Sequence, residues 1–345
     1  MGECNVLIVG GGLAGFSAAK RLTELGVRDV VLIERMSGEH YEHYHHICGQ
    51  AISEHMSAMC QIDDSSTICK IDALRMECCG TEIRIPVKGR IIDRVKLLGS
   101  MRGRTDARVV KDSVLSVRKD GDSFVVACTG GEYRCRYLIG ADGAFSVVRK
   151  CLFGTEPDIR MPLVNNVVRA DGESGAILFH VQPDTGGRYR WDFPIGDGLR
   201  SIGYINGAYE QEGPVDKGIR FAVIGRMGKV TEGNCCLAGD SAFMANAICY
   251  GGIGISLLAG RRAAEAIAKG DLRGYQKWYD GDTAFNPHFR QAVDTFSTWD
   301  ESQFADSIAP FRKGYSLLRG GYAILRRPRW ANVYFSIWMA VRRGW

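Results

Sequence analysis

Cys4-Asn5-Val6-Leu7-Ile8-Val9-Gly10-Gly11-Gly12-Leu13-Ala14-Gly15 is an apolar run that breaks into a glycine loop. The run has the length and composition of a strand buried on both faces. After the loop the pattern turns helical to about Leu25 and stops at Gly26, and a second apolar strand, Val30 to Ile33, ends at Glu34. Strand, Gly-x-Gly-x-x-Gly loop, helix, strand and terminal acid within some thirty residues form a dinucleotide-binding β-α-β unit. Gly10 permits the tight turn, Gly12 lets the backbone approach a pyrophosphate, and Gly15 lets helix and strand pack closely. The helix N-terminus, at Leu13 and Ala14, faces the anion. Glu34, followed by Arg35, is placed to take the ribose hydroxyls.

Further along, residues 36–66 read as loop and short helices rich in His, Tyr and Ser. Residues 67–90 alternate as strands, Arg94 to Met101 suggests a helix, and strands return at 107–118 and 123–128 around the Lys119-Asp120-Gly121-Asp122 turn. Arg136 to Ile139 is a strand running into Gly140-Ala141-Asp142-Gly143. Residues 151–225 are mostly short strands and Gly-rich turns. Cys235 to Ala238 is a strand ending at Gly239-Asp240, a long helix covers 252–269 and stops at Gly270, and 271–345 reads as helical.

The expected fold is α/β. A discontinuous Rossmann-type dinucleotide-binding domain takes 1–75, 90–150 and 226–285. A mostly antiparallel β domain facing the substrate takes 76–89 and 151–225, and a helical C-terminal segment takes 286–345.

Composition narrows the function classes. With 44 Lys and Arg against 39 Asp and Glu, the chain lacks the strong basic excess of a nucleic-acid binder. Its 12 cysteines show no Cys-x-x-Cys pair, and Met1 leads directly into a strand, so a reducing cytoplasm is expected. No apolar run approaches a membrane span. His40, His43, His45 and His46 cluster without matching carboxylate or cysteine spacing, so no metal is expected.

The first loop alone fits NAD or FAD; two later motifs separate them. Gly140-Ala141-Asp142-Gly143 resembles the second fingerprint of the FAD-dependent hydroxylase superfamily, and Cys235 through Ala242 resembles its third. There Asp240, beside Gly239, accepts from the sugar hydroxyls of the cofactor, and the next helix points amides at its pyrimidine carbonyls. Three fingerprints in order imply FAD.

Four other segments resemble the geranylgeranyl reductase family, which includes archaeal enzymes saturating the isoprenoid chains of membrane lipids. Tyr189-Arg190-Trp191-Asp192-Phe193-Pro194 resembles its Y-x-W-x-F-P signature. Cys48-Gly49-Gln50-Ala51-Ile52-Ser53 is similar to its C-G-x-x-[IL]-S segment, whose cysteine lies near the flavin. Gly89 through Arg94 is similar to a segment whose Arg supports FAD, and Asn246 through Ile253 to its N-P-L-T-G-G-G-I turn. The chain departs from that turn at Ala247, which stands in place of Pro, and at Cys249-Tyr250, in place of Thr-Gly.

The resemblance implies an FAD-dependent reductase of C=C bonds. Its cofactor residues are those of the first loop with Cys48, Gly49, Arg94, Ala141, Asp142, Gly143, Gly239, Asp240, Gly251, Gly252 and Ile253. Tyr189, Trp191, Phe193 and Pro194 would line an apolar slot for a polyprenyl chain, although such alternation also describes one face of a core strand. Cys48, His46 and Tyr250 are candidate proton donors, and Cys48 reads equally as a small buried hydrophobe. The electron donor stays open between ferredoxin, a reduced deazaflavin and NAD(P)H. Rival readings are a flavin monooxygenase or halogenase, and a non-catalytic flavin protein that binds a membrane or a partner. Arg326-Arg327-Pro328-Arg329-Trp330 and Arg342-Arg343-Gly344-Trp345 mix Arg with Trp, which suits either peripheral contact with the inner face of the cell membrane or a packed terminal helix.

Overall fold

The computed structural model describes residues 2–281, 287–343 and 345. Two eight-stranded sheets carry the chain. In the first, Gly2–Val9 lies between Val30–Glu34 and Gly131–Gly140, parallel to both, with Arg108–Lys111 and Cys235–Leu237 continuing the parallel array on either side. Its central strands are buried on both faces, as their unbroken apolar runs require. Helix Leu13–Glu24 packs on this sheet and against helix Ile253–Lys269. Their approach is close: a Cβ on Gly260 would stand 2.1 Å from the Ala14 carbonyl oxygen. The hairpin of Val114–Asp120 and Ser123–Cys128 hangs from the Gly131–Gly140 strand.

The second sheet runs in the order Asp216–Ile224, Ile159–Arg169, Leu199–Ile205, Arg188–Pro194, Ala176–Gln182, Thr67–Cys78, Thr81–Ile92 and Ala51–Ser53. Every pairing in it is antiparallel except that of Ala176–Gln182 with Thr67–Cys78. The Rossmann-type fold with a mostly antiparallel second sheet and C-terminal helices is therefore present. The domain boundary placed between 75 and 76 falls inside the continuous Thr67–Cys78 strand, all of which belongs to the second sheet. The boundary between 285 and 286 lies outside the described residues. The short strand Ala51–Ser53 is a further difference, since 36–66 carried no strand in the sequence reading. Three residues are too few for period-two alternation to appear.

C-terminal helices, among them Pro287–Phe296, Glu301–Ile308 and Ala331–Arg343, cover one face of the second sheet. Trp299, Trp330, Phe304 and Trp345 share a buried cluster with Trp191 and Phe193 of that sheet. The Ser53 N–H donates to the Trp345 carbonyl at 3.0 Å. Trp330 and Trp345 are thus core residues, not headgroup-level anchors, because burial in this aromatic cluster removes them from any surface. No helix among the described residues is long and apolar enough to cross a membrane.

Candidate active site

The dinucleotide loop has the geometry its glycines predict. Gly10 takes φ +100°, and a Cβ there would come within 2.3 Å of the Ala141 carbonyl oxygen. A Cβ on Gly15 would sit 1.9 Å from the Gly10 oxygen, so this turn admits no side chain at either position. Gly12 caps the Leu13–Glu24 helix with no side-chain hydrogen bond and no acidic residue in the first turn. The positive end of that helix is left for a ligand. Glu34 closes the loop: its carboxylate accepts from Gly11 N–H at 2.6 Å and from Met36 N–H at 2.7 Å. Arg35 is exposed.

The second and third motifs flank this loop. Ala141 N–H donates to the Val9 carbonyl at 2.8 Å. Asp142 is committed locally: its carboxylate accepts from the Ser146 hydroxyl at 2.5 Å and from the backbone N–H groups of Val147 and Val148 at 2.7 and 3.2 Å. It therefore holds the first N–H groups of helix Val147–Phe153, whose N-cap is Ser146, while burial, partly offset by these bonds, pushes its carboxyl pKa up. Asp240 follows Gly239 in a short turn, and its Oδ1 would be 3.6 Å from a Cβ on Gly252. Gly252 begins helix Ile253–Lys269, again with no side-chain cap and no acidic residue in the first turn. Burial raises the Asp240 pKa against the pull of Arg220 and Arg94.

Between the loop and the second sheet lies a buried cationic cluster. The Arg94 side chain meets His45 Nδ1 at 3.3 Å, and the Arg94 backbone N–H donates to Gln50 Oε1 at 3.0 Å. Arg220 lies 3.8 Å from the centroid of the Tyr44 ring and donates to the Tyr44 carbonyl. Burial drives the His45 imidazole down to about 2, helped by both guanidiniums, so this ring stays neutral. Burial alone would raise the Cys48 thiol. Arg94, Arg220 and the Gln50 N–H, 3.5 Å from its sulfur, outweigh it and bring the thiol below its ordinary value. His45 Nε2, Gln50 Nε2 and Arg94 Nε are buried without a hydrogen-bond partner. Buried polar atoms are rarely left so, and three together mark a ligand-facing wall.

The aromatic strand closes the other side. A Cβ on Gly49 would lie 2.8 Å from the Phe193 ring and 3.3 Å from Trp191 Nε1. Tyr189 donates its hydroxyl to the Cys249 carbonyl at 2.6 Å and stacks on Tyr250 at 5.2 Å. Tyr250 holds φ +51°, and burial pushes its hydroxyl up to about 12. Pro194 ends this strand, buried beside Phe193. Gly251 accepts from Asn246 N–H at 3.1 Å, fixing the turn before Ile253.

Cys48, Gly49, Arg94, Trp191 and Phe193 are thus brought together. His46 is half-buried one position beyond the inward-facing His45. Sequence reading did not single out His45, Gln50 or Arg220. Alternation cannot say which residue of a His-rich helix turns inward, and Arg220 sits on a strand 172 residues after Cys48. Among the described residues no cluster of three or more His, Cys, Asp or Glu side chains could hold a metal ion.

Residues 7–167 match the family described as pyridine nucleotide-disulphide oxidoreductase. Over 320 residues the chain is 26% identical to the digeranylgeranylglycerophospholipid reductase of Methanosarcina acetivorans, covering 78% of this chain and 77% of that protein. The chain thus resembles digeranylgeranylglycerophospholipid reductases along most of its length. Among solved structures, a geranylgeranyl bacteriochlorophyll reductase-like protein from Thermoplasma acidophilum superposes with TM-score 0.77 at 18% identity, covering 94% of this chain and 96% of that one. The p-nitrophenol 4-monooxygenase of Pseudomonas putida shares the fold at TM-score 0.71 and 17% identity, covering 97% and 99%. The two bare helix N-termini, the glycine cradle and the unpartnered polar atoms fit FAD. Gly10, Gly12, Leu13, Ala14, Gly15 and Glu34 would hold its adenosine and pyrophosphate, and Asp240 with the 251–253 turn its flavin end.

Proposed function

We propose that this chain is an FAD-dependent reductase that saturates carbon–carbon double bonds in geranylgeranyl-type chains of membrane lipids or their precursors. The observation that carries the reading is the junction at Cys48-Gly49. There the aromatic strand of the second sheet abuts the buried Arg94–His45 cluster of the dinucleotide fold. When bound and reduced, FAD supplies the hydride.

The chain's own residues do the rest. Trp191 and Phe193, buried where the sheet meets the cluster, would wall the reacting end with apolar rings, where each methylene removed from water contributes about 0.8 kcal/mol. They also exclude the water that would compete for a cationic carbon. Buried Arg94 and half-buried Arg220 hold positive charge here, favouring an anion at this place and pulling the Cys48 thiol down against burial. The proton would come from Cys48 or from the half-buried His46: burial holds the Tyr250 hydroxyl up at about 12, Tyr189 commits its hydroxyl to Cys249, and His45 is neutral. A reductase of this kind takes its electrons from an external donor.

The test is anaerobic mixing of photoreduced holoenzyme with a geranylgeranyl lipid. Flavin reoxidation should accelerate and the lipid should gain two hydrogens per bond. Unchanged reoxidation with an unaltered lipid mass would overturn the reading.

A further inference from the structure

Helix Leu317–Arg326 is built inside out for a surface element. At 100° per residue, Leu317, Leu318, Tyr322 and Leu325 fall within an arc of about 140°. All four are exposed, Leu318 at 88% and Leu325 at 82%, while the opposite face buries Ala323 against the protein. A ten-residue helix that seats an alanine inward and leaves its leucines in water has an unpartnered apolar face.

The charge around it is one-sided. Residues 309–345 contain eight Lys and Arg and no Asp or Glu, although the whole chain has 44 basic and 39 acidic residues, so the remainder holds 36 basic against 39 acidic. Only Arg327 of this segment makes an ion pair among the described residues, with Asp306. Arg319 is tied to the carbonyls of Lys313 and Gly314 at 2.8 and 2.7 Å. Arg312, Lys313, Arg326 and Arg329 are exposed at the two ends of the helix.

We propose that this helix is a docking surface for an anionic lipid bilayer. Leu318, Tyr322 and Leu325 enter the acyl boundary, and the flanking cations meet lipid phosphates. Charge complementarity selects the occupant. A leucine face on a segment without acids, with the neighbouring Asp306 already paired to Arg327, fits a phosphate-bearing apolar surface. A second copy of the chain would instead bring the same cations against one another. The interface differs from the Arg-Trp composition visible in the sequence, because Trp330 and Trp345 are interior. The proposal rests on this face and not on the reductase reading, since membrane attachment needs no turnover.

Flotation of the FAD-loaded full chain tests it, with vesicles of phosphatidylglycerol and phosphatidylcholine in equal parts and with phosphatidylcholine alone. The protein should float with the anionic vesicles at least tenfold better than with the neutral ones, and high salt should release it. The Leu318→Glu/Leu325→Glu double variant changes only solvent-facing side chains, so its circular dichroism and flavin content should stay at wild-type levels while flotation falls at least tenfold. Lys313→Gln/Arg326→Gln should weaken the anionic preference several-fold. Failure of the wild type to float, equal flotation of the leucine variant, or a wild-type dimer that the leucine variant converts to monomer would each overturn the proposal. Absence of lipid reduction alongside normal flotation would count against the enzyme reading alone.

Discussion

Gly203 and Trp191 face each other across an antiparallel pair, and their fit yields a double-variant test. A Cβ on Gly203 would stand 1.7 Å from Trp191 Cζ2, 2.1 Å from Cε2 and 2.2 Å from Cη2. Carbon contacts settle near about 3.5–4.0 Å, so Gly203→Ala must drive the indole about 2 Å from its place or part the strands. Overpacking of this kind costs about 1–3 kcal/mol, offset by about 0.4–1 kcal/mol from the stiffer unfolded chain. Trp191→Phe alone should cost about 1–2 kcal/mol, from lost contact area and the lost Nε1–H bond to Ser201 Oγ at 3.2 Å. Ser201 stays satisfied because it also donates to Asn165 at 2.5 Å. Two of the three crowded atoms, Cζ2 and Cη2, belong to the indole's benzo ring beyond the reach of a phenyl group, and Cζ2 is the nearest of all. In the Trp191→Phe background the Gly203→Ala methyl therefore has room, and the double variant should be at least about 1 kcal/mol more stable than the sum of the singles. Urea unfolding followed by far-ultraviolet circular dichroism, at saturating FAD for all four proteins, measures this. Additivity within about 0.5 kcal/mol would refute the claim that the strand's spacing is set by this ring lying on that glycine.

Arg94→Met should raise the titration midpoint of Cys48 toward 9.0, since the guanidinium is a main cause of its depression. The thiolate ultraviolet band, taken as the difference from Cys48→Ser, reads it, and an unmoved midpoint would remove Arg94 from the account. His45 has a folded pKa of about 2 against 6.5 unfolded, so below 6.5 only the unfolded chain takes up the proton. Stability should therefore fall with acid by up to about 1.4 kcal/mol per pH unit from this group, and His45→Gln should lack that slope in urea melts between about pH 7 and pH 5. Asp142→Ala frees the Val147 and Val148 N–H groups and the Ser146 hydroxyl, and should cost about 1–2 kcal/mol in unfolding free energy. A loss under about 0.3 kcal/mol would show that these bonds are dispensable.

Legibility from sequence followed the range of the interactions. Val6 to Val9, the glycine loop and Glu34 were readable because strand, turn and helix there answer to neighbours within thirty residues. Gly26, Gly121 and Gly270 stop their elements at φ +73°, +63° and +65°, where the reading placed the breaks. The aromatic alternation at 189, 191 and 193 announced one face of a strand but not what that face meets. Its contact with Gly49 spans more than 140 residues of chain and leaves no local trace. Asp142 read as a cofactor residue from its motif, and its bonds to Ser146, Val147 and Val148 at the start of the next helix were not legible, because an acid after a glycine turn suits both tasks. Arg220 and Gln50 were missed for the same reason in reverse: an arginine on a strand and a glutamine at φ +57° gain their meaning only from Cys48 and Arg94 beside them.

The central strand Gly2–Val9 acquires its second neighbour only at Gly131–Gly140, and the helix behind it acquires its partner only at Ile253–Lys269. A ribosome releases the N-terminal strand and helix long before either exists. Until residue 140 of 345 has been made the growing polypeptide carries an unsatisfied apolar edge, and for most of synthesis it carries the bare flank of Ala14 and Ala18. Such delayed pairing should slow maturation, and shortened forms ending before Gly260 should accumulate as aggregates, not as smaller competent enzymes.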